Sequence, residues 1–141
     1  MYMDTNSSIF IDTSFLCAFY NKNDSQFDKS NTYIELLNNR KLYTSNFVLL
    51  EAYTVLSQRV SKKVALEFGK IINDIEGITT IRIDESTENN AWEIFEKITD
   101  KDMSYVDCSS IAIMHEYSIK QILTFDSHLK KHSKQFRFKI V

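Results

Sequence analysis

Two aspartates each close an apolar run. Asp12 follows Ile9-Phe10-Ile11 and leads into Thr13-Ser14, and Asp126 follows Gln121 to Phe125 and leads into Ser127-His128. In open α/β sheets ligands gather at the carboxyl ends of strands, so an acid directly after a buried strand is placed for chemistry. The same position also suits a turn or helix-capping Asp. Asp84, after Ile81-Arg82-Ile83, reads as such a cap. Glu51 is different: on a helix starting at Phe47 it shares a stripe with Phe47, Val48 and Val55. A carboxylate on an apolar face is costly unless it is paired, bound to a metal or able to reach solvent past the edge of the stripe. No base stands beside it, since Arg59 is two turns away. Asp107 lies three residues after Ser104, the spacing of a helix capping box. A helix start laid over a strand end would aim that carboxylate at Asp12 and Asp126. Four such acids at one end of a sheet suit hard cations, Mg²⁺ or Mn²⁺, which take oxygen ligands and retain water.

Other chemistries have weaker support. His128 and His132 have i, i+4 spacing, but no glutamate follows His128 and no cysteine pair supports a zinc site. With only two glycines, the chain has no phosphate-cradling loop of the nucleotide-binding types. Neither Cys17 nor Cys108 lies in a nucleophile motif. Both sit in apolar segments far apart in sequence, which predicts buried free thiols rather than a disulfide. A phosphatase using a nucleophilic Asp would often place a second Asp two residues after Asp12, where this chain has Ser14.

The elements that must carry these residues alternate. Strands are predicted at Ile9–Ile11, Lys41–Thr44, Ile78–Ile83, Gln121–Phe125 and, with alternating apolar and basic residues, Phe136–Val141. Helical patterns cover Ser14–Tyr20, Asp24–Asn39, Phe47–Arg59 capped by Ser45 or Asn46, and a segment capped by Ser61 that runs to about Ile75, with Gly77 as its stop. Two more cover Glu85 to about Ile98 around Trp92, and Ser104–Tyr117. Strands separated by helices require crossover connections. The predicted fold is therefore a three-layer α/β/α domain over residues 1–141, with a central, mostly parallel sheet of about five strands.

Hydrophobic residues make up 43% of the 141 and charged residues 26%, a globular balance in a length suited to one domain. No run approaches the roughly 18 apolar residues of a membrane span, and MYMDTNSS has neither a basic nor an apolar stretch, so a cytoplasmic location is expected. The net charge of −2 argues against a general nucleic-acid binder, but its distribution is uneven. From Ser127 onward there are no acids, only Lys130, Lys131, Lys134, Arg137 and Lys139 with His128 and His132, whereas Asp84 to Asp107 is strongly acidic. A basic tail beside an acid cluster would guide a polyanion towards bound metal; the plainer alternative is a solvated basic surface.

The segments IFIDTSFLCAFY, TSNFVLLEAYTVL, DKDMSYVDCSSIAIMHEY and ILTFDSHL, in this order, resemble the PIN-domain ribonucleases, especially VapC-like toxins, over nearly the whole chain. MSYVDCSSIAIM and LTFDSHL in close succession are the most specific pieces. The resemblance implies a metal-dependent endoribonuclease in which Asp12, Glu51, Asp107 and Asp126 surround one or two Mg²⁺ or Mn²⁺ ions. It also implies supporting hydroxyls at Ser14, Ser104 and Thr124, an antitoxin partner and a homodimer, while in the basic tail Lys130, Lys131, Lys134 and Arg137 are the expected RNA contacts. Leu129 stands where the family often has Phe, and Asp84 and Asp102 compete for the role given to Asp107. A PIN-like module that binds RNA without cutting it, and an acid-cluster Mg²⁺ phosphatase, are the alternative functions.

Overall fold

The computed structural model describes residues 7–74 and 77–141. The opening MYMDTN and the expected helix end at Ile75 lie outside the described residues. Five strands, β1 (Ser8–Ile11), β2 (Lys41–Ser45), β3 (Ile78–Ile81), β4 (Gln121–Leu123) and β5 (Lys139–Ile140), form one sheet in the order β3-β2-β1-β4-β5. Every pairing is parallel. Ile9, Phe10 and Ile11 are all essentially inaccessible. Successive strand side chains point to opposite faces, so β1 is covered on both, as the three-layer prediction requires.

Eight helices connect the strands among the described residues: α1 (Thr13–Tyr20), α2 (Phe27–Asn31), α3 (Ile34–Asn38), α4 (Asn46–Arg59), α5 (Lys62–Asp74), α6 (Glu85–Lys97), α7 (Tyr105–Glu116) and α8 (Ser127–Lys131). Most begin where the sequence signals a cap. Ser45 Oγ accepts from Val48 N at 3.1 Å, and Asn46, the alternative cap, instead takes Ile83 N at 2.8 Å and ties down the chain beyond β3. Ser61 Oγ accepts from Val64 N at the start of α5. Gly77, with φ of +105°, makes the left-handed turn into β3 that a Cβ would disfavour.

Two expectations need correction. The helical pattern over Asp24–Asn39 is not one helix: it breaks at Thr32-Tyr33 into α2 and α3. Polar side chains compete for backbone carbonyls there, Ser30 Oγ taking Phe27 O, Asn31 Nδ2 taking Phe27 O and Thr32 Oγ1 taking Lys29 O. The strands after β2 are also shorter than their apolar runs. The C-terminal one shrinks to Lys139–Ile140 because Phe136 and Phe138 are drawn into the core around Arg137, whose φ of 60° ends any extended run before it.

Candidate active site

The chain runs outward from β1 to β2 and β3, then crosses back to lay β4 on the other side of β1. Between β1 and β4 the strand order reverses, and the carboxyl ends on either side of such a switch point form a crevice. Asp12 leaves β1 there and is fastened to β4 by its amide, which donates to Leu123 O at 3.1 Å. Asp126 leaves the end of β4 three residues after that contact.

Asp12 is 2% exposed. Its Oδ2 accepts from Thr124 Oγ1 at 2.7 Å and from Ser14 Oγ at 2.9 Å, and these two hydroxyls stand 3.1 Å apart. Ser14 Oγ also accepts from Phe125 N, and Thr124 Oγ1 from Asp126 N, each at 3.0 Å. One small network thus locks both strand ends together. The other oxygen, Asp12 Oδ1, is buried with no hydrogen-bond partner, as is the Thr13 hydroxyl. An unpaired buried carboxylate oxygen is expensive, and burial pushes the Asp12 pKa up against the pull of the Thr124 and Ser14 hydroxyls.

Three acids surround it. Asp126 caps α8, its Oδ1 accepting from His128 N at 2.7 Å and Leu129 N at 3.3 Å. Asp107 completes the expected capping box of α7, with Ser104 N donating to Asp107 Oδ2 and Asp107 N donating to Ser104 Oγ, both at 3.0 Å. Capping and site roles therefore coincide. Burial, then repulsion from Asp12, pushes the Asp107 pKa up to about 7. Glu51 projects half-buried from the middle of α4, its pKa raised first by burial and further by Asp12 and Asp126. The charges of Asp12 and Asp126 thus act on both Glu51 and Asp107, which ties the four predicted acids to one site.

The residues left out of the cluster are as informative. Asp84 is a cap alone, accepting from Thr87 N at 2.9 Å. Asp102 lies with Asp100 and His128 in a second group whose ligand atoms are within 4.8 Å of one another. Asp100 Oδ2 faces His132 Nε2 at 3.2 Å, His128 Nδ1 at 3.5 Å and Lys131 Nζ at 3.9 Å, so the two histidines predicted by spacing to share a face do so around a carboxylate. Sequence reasoning passed over Asp100, and the basic faces of α8 opposite it were the available signal. Lys130 and Lys131 lie in the last turn of α8, the helix that Asp126 caps, whereas Lys134 and Arg137 line a cleft with Lys120 and Lys139 at the amino ends of β4 and β5, the opposite edge of the sheet. Both cysteines are buried and free, and burial pushes their thiols up to about 12 for Cys17 and about 11 for Cys108, so neither is a nucleophile at neutral pH.

Residues 9–135 match the PIN domain family. The chain belongs to the PIN-domain family. Among PIN relatives, the 23S rRNA-specific endonuclease VapC20 of Mycobacterium tuberculosis is 31% identical over 123 residues, covering 84% of this chain and 88% of the relative. The crystal structure of that protein, described as a sarcin-ricin loop cleaving toxin, superposes with a TM-score of 0.79 at 27% identity over 87% of this chain and 93% of its own. VapBC2 of Rickettsia felis, solved with a DNA fragment from its promoter, shares the fold at a TM-score of 0.68 and 14% identity, over 95% of this chain and 97% of that one. The parallel five-stranded PIN sheet read from the sequence is thus the observed one.

Proposed function

We propose that this PIN-domain protein is a divalent-metal-dependent endoribonuclease acting as the toxin of a toxin–antitoxin pair, with Asp12, Glu51, Asp107 and Asp126 as its ion-binding and catalytic acids. The observation that carries the reading is the buried, partnerless Asp12 Oδ1 beside three further acids. Without a cation this arrangement is unfavourable, and the all-oxygen donor set suits Mg²⁺ or Mn²⁺. A bound ion would acidify water and neutralise charge on the phosphoryl oxygens.

The chain's own groups do the rest. Thr124 and Ser14 hold Asp12 Oδ2, leaving Oδ1 as its free ligand atom. The α8 amides fix Asp126, and the α7 capping box fixes Asp107, so these two acids are set by backbone geometry and Asp12 by side-chain hydroxyls. Glu51, whose pKa burial raises above the ordinary value, is suited to orient a water or hold a second ion. Lys130 and Lys131 would receive RNA phosphates beside the acids, and Lys134 and Arg137 would do so at the far edge.

The activity of VapC20 makes ribosomal RNA the first substrate to test, and the VapBC2 assembly of Rickettsia felis makes a small antitoxin the expected protein partner. A homodimer and a cytoplasmic setting complete the reading; no helix among the described residues is long and apolar enough to cross a membrane. A phosphatase fits less well, because Ser14 stands where many Asp-nucleophile phosphatases carry a second Asp two residues on. The deciding experiment treats ribosomes and total RNA with wild type and Asp12→Asn, with Mn²⁺ or Mg²⁺ and with chelator. Discrete fragments from wild type with metal alone are expected. Binding without cutting in every arm would leave an RNA-binding module, and release of phosphate from an aryl phosphate would indicate the phosphatase.

A further inference from the structure

Beside the acid cluster lies a pocket of about 190 Å³ that the reaction chemistry does not use. It opens at Ser14, whose hydroxyl is 2.9 Å from Asp12 Oδ2, and it runs between α1, the turn after it and the last turns of α4. Its floor is apolar: Cys17 and Leu56 are buried, and Phe125 and Val55 complete it. Its rim is not. Asn21, Asp24, Gln26 and Arg59 converge on it.

Most of the hydrogen-bonding capacity of that rim is unspent. Asn21 Oδ1 accepts from Asn23 N, and Asp24 Oδ1 from Gln26 N. The Asn21 amide nitrogen, the second oxygen of Asp24, the Gln26 side chain and the Arg59 guanidinium have no hydrogen-bond partner among the described residues. An apolar floor with a few convergent polar groups is the usual make-up of a small-molecule site. At this volume it falls below the roughly 300–1,000 Å³ that takes drug-sized ligands, so there is room for one heterocycle.

We propose that this pocket is a nucleobase subsite that selects a purine, guanine above others, in the nucleotide flanking the cleaved phosphate. The proposal rests on the endoribonuclease reading and adds its sequence preference. Single-stranded RNA is read by splaying bases out and bonding their edges. Guanine offers O6 and N7 as acceptors and an exocyclic amine as donor. Arg59 and Asn21 supply donors for the first two, and the free Asp24 oxygen accepts from the third. A pyrimidine would leave part of that rim unpaired, which is how polar sites reject poor ligands. The pocket is joined to the catalytic acids through Ser14, so a base seated in it sets which phosphate lies over Asp12.

The test maps cut sites in total RNA for wild type, Arg59→Lys and Asn21→Ala, and separately measures binding of short polyuridine strands with and without one guanine, metal chelated, by fluorescence anisotropy. Wild type should show guanine enrichment at one fixed position beside the cut and bind the guanine-containing strand about 10-fold more tightly, as for a good bidentate base contact. Arg59→Lys keeps the charge but loses the guanidinium fork, so it should keep affinity for polyuridine while losing the enrichment. Melting temperatures of the variants guard against misfolding. RNA cut with no base preference at any flanking position overturns the subsite and leaves the nuclease standing. A guanine preference in binding without cutting overturns the nuclease and leaves the subsite standing. Variants that lower cutting of all sites equally, or an antitoxin peptide that occupies the pocket without displacing the guanine strand, also overturn the proposal.

Discussion

At the scale of single residues, Asp12 sets up a conflict between folding and function. Its orphan Oδ1 and raised pKa mean that the metal-free fold is held together despite this carboxylate. Asp12→Asn removes the charge and retains an acceptor for Ser14 and Thr124. It should abolish cleavage, because acids of one cluster act as a unit, while leaving the metal-free melting temperature at pH 8 unchanged or a few degrees higher. Differential scanning fluorimetry checks this: Mn²⁺ should raise the melting point of wild type and not of the variant, and an equal rise in both would place the ion elsewhere. Thr124 is the second residue to test. Its hydroxyl donates to Asp12 and accepts from Asp126 N, so Thr124→Val keeps shape and loses both contacts. Cleavage should fall about 10–100-fold, as for other residues that orient metal ligands, and Thr124→Ser should recover most of it in the same single-turnover assay.

At the scale of elements, helix starts do the positioning. Asp107 is both the third residue of the α7 capping box and a site acid, and its pKa is pushed up to about 7. A carboxyl raised in the folded state stabilises the fold fully below its unfolded value near 4 and loses that contribution as pH rises through about 7. Metal-free wild type should therefore lose stability between pH 5 and pH 8 relative to Asp107→Asn, and saturating Mn²⁺ should reverse the difference, since a cation binds the ionised form. Over the same range the apparent Mn²⁺ affinity should climb by about tenfold per pH unit below 7 and flatten above it; isothermal titration at pH 6, 7 and 8 reads this directly. Ser104→Ala tests the cap itself, with a cost of about 0.5–2 kcal/mol in denaturant unfolding. Its activity should fall less than that of Asp107→Asn, because Ser104 N still holds the carboxylate.

The same scale explains what could be read in advance. Asp12 and Asp126 were legible because each closes an apolar run that carries a strand, and Asp107 because Ser104 stands three residues before it. Glu51 was legible through the cost of an acid on an apolar stripe. The break between α2 and α3 was hidden, since side chains that take carbonyls from a helix leave its apolar spacing intact. Asp100 was hidden too: it binds His132 from 32 residues away, and only the docking of α8 brings them together. The pocket at Arg59 and Asn21 joins two helices far apart in sequence, a relation no local pattern carries.

At the scale of the whole molecule, charge is divided more finely than the basic tail implied. Lys130 and Lys131 end the helix that Asp126 caps, and Asp100 faces Lys131 at 3.9 Å, so Lys131 is partly neutralised. Lys120, Lys134, Arg137 and Lys139 meet at the other end of β4 around a cleft of about 430 Å³ with no acid in its wall. Five residues, the strand β4 and the two after it, separate Lys120 from Asp126, a span of up to about 20 Å. A trinucleotide cannot bridge that distance, but a folded RNA can, so the far cleft should matter only for large substrates. Neutralising it in Lys134→Gln/Lys139→Gln should weaken binding of a stem-loop RNA of about 10 base pairs and reduce the slope of log affinity against log salt by roughly two, one counterion per lost phosphate contact. Affinity for a trinucleotide should not move. Lys130→Gln should lower both, because it stands on the helix whose start Asp126 caps. Filter binding between 50 and 200 mM salt, as suits a counterion-release slope of roughly this size, separates the two groups. An equal loss on both RNAs from the far pair would mean that those lysines act through the general field of the protein and not by touching a distant part of the substrate.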